Sequence, residues 1–171
     1  MCPILRVRVA GVDLAVVRPS AIAVLDGCEL AAYLSAMELE DIVSSLSPYR
    51  PAVVAIDAPL SRPEGWLRDV ERELLRLGYR LLPPLMGPMA RLTERGMRLA
   101  QMLGNAIEVH PKTSLKAMGL EPGLIYSRYR PPTKDHFDAV LAALTALAYL
   151  KGLYRSIGPF VLPLASPCQY T

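Results

Sequence analysis

The stretch ILRVRVAGVD, residues 4–13, alternates between apolar and charged side chains at first and then becomes continuously apolar up to an aspartate. An apolar run of this kind is typical of a central β-strand whose two faces are both covered by other elements. We therefore predict that residues 4–13 form a buried strand and that Asp13 lies at its carboxyl end.

The segments that follow this strand predict two more strands, a helix and a fourth strand. AIAVLDG (21–27) and ELAAYL (29–34) are apolar runs joined at Asp26-Gly27, a dipeptide favoured in tight turns. Residues 38–46 have helical periodicity, and AVVAID (52–57) is a short buried strand that again ends in an aspartate. The order of elements up to this point is a three-stranded meander, a helix and a strand.

The second half of the chain predicts a helical insertion, a fifth strand and a long final helix. Two amphipathic helices with arginine-bearing faces make up the insertion, at about residues 62–104, and AIEVHP (106–111) is the fifth strand. Thr133 is a good N-cap for a helix that runs to about Tyr149, and we expect little structure in the proline-rich tail, about residues 156–171. The sequence therefore predicts a single α/β domain over residues 1–171, with a mixed five-stranded sheet and helices on both of its faces.

Composition limits the protein class. A chain of 171 residues that is 52% apolar suits one domain with an ordinary core. No run reaches the roughly 18 apolar residues needed to cross a bilayer, and no cleavable leader is evident, so we expect a cytoplasmic protein without membrane contacts. The three cysteines are far apart, and we expect free thiols at Cys2, Cys28 and Cys168. Scarcity of Asn and Gln suggests a thermophilic source.

Acidic residues end or interrupt several of the buried apolar segments. Asp13 ends the first strand, Asp57 the fourth, Glu108 lies in the fifth, and Asp135 and Asp138 lie near the start of the last helix. Buried carboxylates repel one another and lose hydration, which costs free energy unless a positive charge lies among them. A hard divalent cation prefers oxygen ligands of this type, and the spacing of Asp135 and Asp138 places both on one helical face. The set predicts a metal site.

Each of these acids also has a structural interpretation. Asp57 precedes Ala-Pro and could serve a turn, and Asp135 could complement the dipole of the last helix. Glu108 could form an ion pair with an arginine of the preceding helices. Asp13 and Asp138 are harder to explain in this way, because each adjoins a long apolar run.

Several other chemistries have no support in the sequence. His110 and His136 are the only histidines, and neither has a second histidine or a cysteine at ligand spacing, so a zinc site is not expected. A Ser-His-Asp arrangement is not indicated either. The chain contains no phosphate-binding loop of the type G-x-x-x-x-G-K-[ST] and no G-x-G-x-x-G motif.

Four segments in conserved order carry a resemblance to a known fold. They are GVDLA (11–15), AIDAPLS (55–61), EVHPKTSL (108–115) and HFDAVLAALTAL (136–147). With these segments, the sequence resembles the ribonuclease H-like superfamily, and more closely a family of predicted nucleases of unknown function numbered 429. The Asp-Ala pair before an alanine-rich helix also resembles the Holliday-junction resolvases of that fold.

The resemblance implies a metal-dependent nuclease that acts on DNA or RNA, including branched nucleic acid. Asp13, Asp57 and Asp138 would be metal ligands, completed by Glu108 or Asp135, and Mg²⁺ or Mn²⁺ would activate water and neutralise the scissile phosphate. The implied catalytic residues are Asp13, Asp57, Glu108 and Asp138. The expected substrate contacts are Arg62, Arg68, His110, Lys112 and His136.

The arginines have a second interpretation, and so does the whole domain. Between residues 62 and 98, eight arginines and five acids carry the whole net charge of +3, and the faces with Arg68, Arg72 and Arg76 could simply form surface ion pairs with neighbouring acids. The domain could be a non-catalytic nucleic-acid-binding or scaffold protein of the same fold. A nucleotide hydrolase or phosphotransferase is a third alternative, which the lack of glycine-rich turns after Asp13 and Asp57 disfavours.

Overall fold

The computed structural model of the protein describes residues 6–170. Residues 4 and 5 of the predicted first strand and the thiol of Cys2 lie outside that range. The strands are β1 (Arg8–Asp13), β2 (Ser20–Asp26), β3 (Glu29–Ala36), β4 (Val53–Ile56), β5 (Ala106–Glu108), β6 (Tyr154–Ile157) and β7 (Phe160–Pro163). The helices are α1 (Leu39–Leu46), α2 (Asp69–Arg76), α3 (Met89–Leu103), α4 (Pro111–Ala117), α5 (Pro122–Tyr129) and α6 (Lys134–Leu150), and a 3₁₀ turn spans Ser47–Tyr49.

All strands belong to one mixed sheet in the order β3-β2-β1-β4-β5-β7-β6. The meander β1-β2-β3 is antiparallel, whereas β1, β4, β5 and β7 run parallel to one another. The predicted meander, the fourth strand and the helical insertion between β4 and β5 are confirmed. The α/β class with helices on both faces of a mixed sheet is confirmed as well.

The predicted number of five strands was wrong, because the described sheet has seven. The expectation of little structure in the tail was wrong as well, because β7 lies within it. The two additional strands, β6 and β7, form an antiparallel hairpin that pairs with β5 through β7. Pro159 lies in the turn beside Gly158, which has a positive φ of 54°, and Pro163 is the last residue of β7. Both prolines therefore lie outside the interior of the hydrogen-bonded ladder, where proline is tolerated.

Alternate residues of the central strands contribute to two separate cores, as the twofold period of a strand requires. Val9 of β1 and Val53 and Ala55 of β4 belong to the core beneath α6. Ala10 and Val12 belong to the core on the opposite face, beneath α1 and α3. Position along a central strand therefore determines which face of the sheet a side chain reaches.

The last helix is the central helix of the domain. The side-chain oxygen of Thr133 accepts a hydrogen bond from the backbone N–H of His136 at 3.1 Å, which confirms the predicted N-cap. Nearly all residues from Phe137 to Ala148 are buried, because α6 lies across β1, β2 and β4. The helix N-terminus, with its acidic residues, is thereby held over the carboxyl end of β1.

The expectation of three free thiols was wrong. Cys28, at the β2–β3 turn, forms a disulfide with Cys168 in the C-terminal tail, 140 residues later. The tail is also held by a hydrogen bond of 2.8 Å between the hydroxyls of Tyr129 and Tyr170 and by one of 2.6 Å from Lys151 Nζ to the Pro167 carbonyl. A pairing over such a distance has no local sequence signal.

Within residues 6–170, every helix is too short or too polar to serve as a membrane-spanning segment.

Candidate carboxylate site

The carboxyl ends of β1 and β4 bring Asp13 and Asp57 together. Gly11 pairs with Ala55 and Val12 with Ile56 in the parallel register, and the backbone N–H of Asp57 donates to the Val12 carbonyl at 3.0 Å. Side chains alternate between the two faces of a strand, and Asp13 and Asp57 are an even number of residues after Val9 and Val53, which face α6. Both aspartates therefore lie on the face covered by α6. They are therefore neighbours at one edge of the sheet, on the side covered by the last helix.

The N-terminal end of α6 supplies Asp135 and Asp138 to the same place. Each of these two carboxylates has a basic partner in the structure. Arg18, from the β1–β2 connection, donates from Nε to Asp135 at 2.7 Å, and Lys134 Nζ lies 3.6 Å from Asp138. Four aspartates from β1, β4 and α6 thus meet at this edge, and we call Asp13, Asp57, Asp135 and Asp138 the aspartate cluster.

The electrostatics of the aspartate cluster are those of crowded carboxylates. Burial, followed by repulsion from Asp135 and Asp138, raises the pKa of Asp13 to about 7. Burial also raises the pKa of Asp57 well above its usual range, and Asp13 and Asp138 add to the effect. Burial raises the pKa of Asp138 as well, against the opposing effect of Lys134. The hydrogen bond from Arg18 lowers the pKa of Asp135.

The cluster fits a divalent metal by its chemistry, but its side chains are not gathered around one point. Within residues 6–170, no three His, Cys, Asp or Glu side chains are arranged as ligands of a single ion. The donors are all carboxylate oxygens, which Mg²⁺ and Mn²⁺ prefer. Burial and the charges of Asp135 and Asp138 raise the pKa of Asp13 against the opposing effect of Arg18, so a further positive charge would stabilise its ionised form. Asp135 and Asp138 meanwhile contact Arg18 and Lys134, so ligation by them requires those contacts to open.

Glu108 lies on the other face of the sheet from Asp13 and Asp57, although its charge also raises the pKa of Asp57 and it lines a small cavity that reaches Asp57. On β5 it pairs with Ile56 of β4, which faces the opposite side of the sheet from α6. Arg68 Nη2 donates to Glu108 Oε1 at 2.6 Å, and the backbone N–H of Leu60 donates to Oε2 at 2.9 Å. The alternative of an ion pair with an arginine of the insertion is therefore the one that the structure shows, and we leave Glu108 out of the proposed metal set.

Arg68 is similarly unavailable as a phosphate contact. Its side chain is buried between Glu108 and Glu71, and Nη2 donates to Glu71 Oε1 at 2.5 Å. Buried Glu71 is a part of this network that the sequence did not reveal. One guanidinium thus holds two buried carboxylates, and its role is to join the insertion to β5.

The other predicted substrate contacts either bind other residues of the protein or lie outside the aspartate cluster. The arginines at the surface of the insertion pair with acids in the same region: Arg62 with Glu94, Arg72 with Asp69 and Arg76 with Glu73. This is the surface-ion-pair interpretation. His136 contacts Thr133 Oγ1, Ser35 Oγ and the Leu34 carbonyl, so it joins α6 to β3.

His110 and Lys112 lie beyond the end of β5. His110 Nδ1 is 2.8 Å from Thr113 Oγ1, and burial, with a further effect of Lys112, lowers the pKa of His110 to about 4. Both residues line a surface hollow with Arg80 and Lys116. Neither is brought into the aspartate cluster, although His110 also lines a small cavity that reaches Asp57.

A cleft opens directly beside Asp13 and Asp57. Its volume is about 660 Å³, within the roughly 300–1,000 Å³ typical of ligand sites. The β1–β2 connection forms one wall and the first turn of α3 with the residues before it forms the other. Arg18 and Arg91 are its basic lining residues. Sequence reasoning missed both, because an exposed arginine in a loop or on a helix has no distinguishing local pattern.

Two solved structures align with most of this chain. The Thermus thermophilus RuvC structure aligns with a TM-score of 0.55 and 14% identity over 92% of this chain and 99% of that chain. The Fowlpox virus resolvase in complex with substrate Holliday junction DNA aligns with a TM-score of 0.43 and 14% identity, over 85% of this chain and 98% of the other. The likeness to RuvC shows the ribonuclease H-like fold.

The sequence itself gives no match. No family model matches it, and no curated protein sequence matches it. Membership of the predicted nuclease family numbered 429 therefore stays a prediction.

Proposed function

We propose that the protein is a metal-dependent nuclease that hydrolyses phosphodiester bonds in DNA or RNA, including branched nucleic acid, at the aspartate cluster. The observation that carries this proposal is the convergence of Asp13, Asp57, Asp135 and Asp138, from three elements far apart in sequence, at one edge of the sheet beside an open cleft. Such crowding costs free energy in a purely structural arrangement. A catalytic cation site accounts for that cost.

The surroundings of each aspartate indicate its role in binding a divalent ion. Asp13 and Asp57 are the poorly compensated carboxylates of the cluster, and they would hold Mg²⁺ or Mn²⁺ together with Asp138 and Asp135. When bound, the ion supplies charge for the scissile phosphate and an activated water. Arg18 and Lys134 neutralise Asp135 and Asp138 in the metal-free protein, so a divalent ion has to compete with both.

The runner-up is a nucleic-acid-binding or scaffold domain without catalysis. The specific observation in its favour is that Asp135 and Asp138 already have basic partners, together with the absence of a three-ligand group in the described part of the chain. On that interpretation Arg18 and Lys134 are permanent partners rather than competitors of a cation. Metal titration separates the two interpretations.

The test is calorimetric titration of Mg²⁺ and Mn²⁺ into the native protein, Asp13→Asn and Asp138→Asn. Asp69→Asn is the matched control, because Asp69 is an exposed carboxylate on α2 outside the cluster. We expect binding by the native protein and the control and its loss in both cluster variants, and cleavage of single-stranded, duplex and branched substrates should show the same dependence. The nuclease proposal would be contradicted by unchanged cleavage in both cluster variants, or by an absence of metal binding even with nucleic acid present.

A further inference from the structure

Arg91 stands out among the arginines of the helical insertion. It is exposed on the first turn of α3 and lines the cleft that contains Asp13 and Asp57. Arg62, Arg68, Arg72, Arg76 and Arg98 each have a carboxylate partner. Among the described residues Arg80 and Arg95 have no such partner either, but neither lines the cleft, and Arg95 donates to the Met37 carbonyl. No carboxylate within residues 6–170 is within ion-pair distance of Arg91. Its guanidinium is therefore available to an anion that enters the cleft.

The rest of the cleft is mainly apolar. Leu14, Val16 and Val17 line the wall formed by the β1–β2 connection, and Met89 and Leu92 line the wall formed by α3. Val17 is 81% exposed and lines the same cleft as Asp13 and Asp57. An isolated exposed apolar residue needs no explanation, but here the apolar side chains continue into a concave surface.

The cleft thus combines three chemistries in one place. Carboxylates lie at its base, an unpaired guanidinium lies on one wall, and apolar side chains cover both walls. A single nucleotide has the matching groups, because its phosphates carry negative charge and its base and sugar present apolar surface. The volume of about 660 Å³ suits one such unit, enclosed on two sides, better than the continuous stack of bases in a duplex.

We propose that this cleft binds one unpaired nucleotide of the substrate strand, with Arg91 on the phosphate adjacent to the scissile one and Val17 and Met89 against the base or sugar. The inference rests on the proposed nuclease function and adds the form of the substrate at the site. Arg91 is a substrate-binding residue in this arrangement. In the metal-free protein Asp135 holds Arg18, so Arg91 is the guanidinium of the cleft that is available to an incoming strand.

The test measures binding without cleavage, by fluorescence anisotropy in EDTA at low salt. The probes are a labelled single strand of about 12 nucleotides, within the roughly 4–16 that single-strand-binding domains cover, and the duplex of the same sequence. Arg91→Gln should weaken single-strand binding about tenfold, as expected for a lost charge-assisted contact. The same substitution should reduce the slope of log affinity against log salt by about 0.7.

Matched variants separate this contact from a general charge effect. Arg98→Gln removes the same charge from the same helix, but Arg98 faces Glu40 at 3.6 Å and does not line the cleft, so we expect less than a twofold change, on the order of a surface charge. Val17→Ser, at an exposed position that tolerates substitution, should weaken single-strand binding and leave duplex binding unchanged.

The outcomes distinguish this inference from the nuclease proposal. Equal effects of Arg91→Gln and Arg98→Gln, duplex binding as tight as single-strand binding, or no single-strand binding by the native protein would each overturn the inference. Binding that depends on Arg91 without any metal-dependent cleavage would support the inference and contradict the nuclease. Metal-dependent cleavage with an unchanged KM in Arg91→Gln would support the nuclease proposal and contradict the inference about Arg91.

Discussion

Gly11 of β1 lies directly against the backbone of Ala139 in α6. A Cβ atom built on Gly11 would stand 2.1 Å from the Ala139 carbonyl oxygen, 2.4 Å from the Ala143 nitrogen and 2.8 Å from Ala142 Cβ. The helix therefore contacts the strand backbone itself, two residues before Asp13. This close approach holds Asp138, one residue before Ala139, next to the carboxyl end of β1.

We expect Gly11→Ala to destabilise the protein by more than about 4 kcal/mol, because the new methyl group meets backbone that cannot move as a side chain does. Chemical denaturation of the variant and the native protein measures the difference. Gly65→Ala is the control, since a Cβ there meets nothing within 4 Å, and it should change stability by less than about 0.5 kcal/mol. Equal stability of Gly11→Ala and the native protein would refute the close approach of α6.

Stability of the metal-free protein should depend on pH through Asp13. The pKa of Asp13 is raised to about 7 in the folded protein, whereas an unfolded aspartate ionises near about 3.9. Between these values the folded state retains a proton that the unfolded chain has lost, so stability falls as pH rises through this window. Asp57, with its raised pKa, acts in the same direction. His110, with its pKa lowered to about 4, acts in the opposite direction over part of this window.

We therefore expect the melting temperature in EDTA to fall more between pH 5 and pH 8 in the native protein than in Asp13→Asn, by about 2–4 °C for each kcal/mol lost. Calorimetric melting curves at the two pH values measure it. Asp13→Asn should reduce the difference, because the amide does not titrate, while Asp69→Asn should retain it. A native protein more stable at pH 8 than at pH 5, with no effect of Asp13→Asn, would contradict the crowding of carboxylates.

Arg68→Gln should destabilise the protein by about 3–5 kcal/mol, because it leaves the buried carboxylates of Glu71 and Glu108 without their cation. Urea denaturation measures the loss. Arg72→Gln, which breaks the exposed pair with Asp69, is the control and should cost at most about 1 kcal/mol. Equal losses of stability in the two variants would show that the buried ion-pair network does not stabilise the attachment of the insertion to β5.

Adding Glu71→Gln and Glu108→Gln to Arg68→Gln should restore part of the lost stability, since neutral amides need no cation. If Glu108 instead bound a catalytic metal, Glu108→Gln alone would weaken Mg²⁺ binding in the same titration. We expect it not to do so.

The pattern of apolar and polar residues along the chain was sufficient to predict much of the fold. The apolar run that ends in Asp13 predicts a central strand, and Thr133 followed by an apolar segment predicts α6 with its N-cap, because both features depend on neighbours in sequence. The same local reasoning failed at Pro159 and Pro163. Prolines argue against strand structure in general, but only the pairing partners show whether the missing N–H lies inside the ladder.

The candidate site was only partly predictable. The alternation of side chains along β5 could have placed Glu108 on the opposite face of the sheet from Asp13 and Asp57. Ile107 and Val109 are the apolar residues that face α6, and Glu108 lies between them. The partner of Glu108 could not have been identified, since several arginines of the insertion were equivalent in sequence. The available guanidinium of Arg91 depends on how α3 is placed beside β1, which no local pattern encodes.

The bond between Cys28 and Cys168 makes most of the chain a covalent ring, because the two residues are 140 positions apart. A protease that cuts the exposed segment around Glu64 and Trp66 would open the ring without dividing the molecule. The two fragments would remain one molecule in denaturant and separate only after a thiol reductant was added. Oxidised protein can therefore lose backbone continuity in its insertion and still keep every strand of the sheet attached to the same molecule.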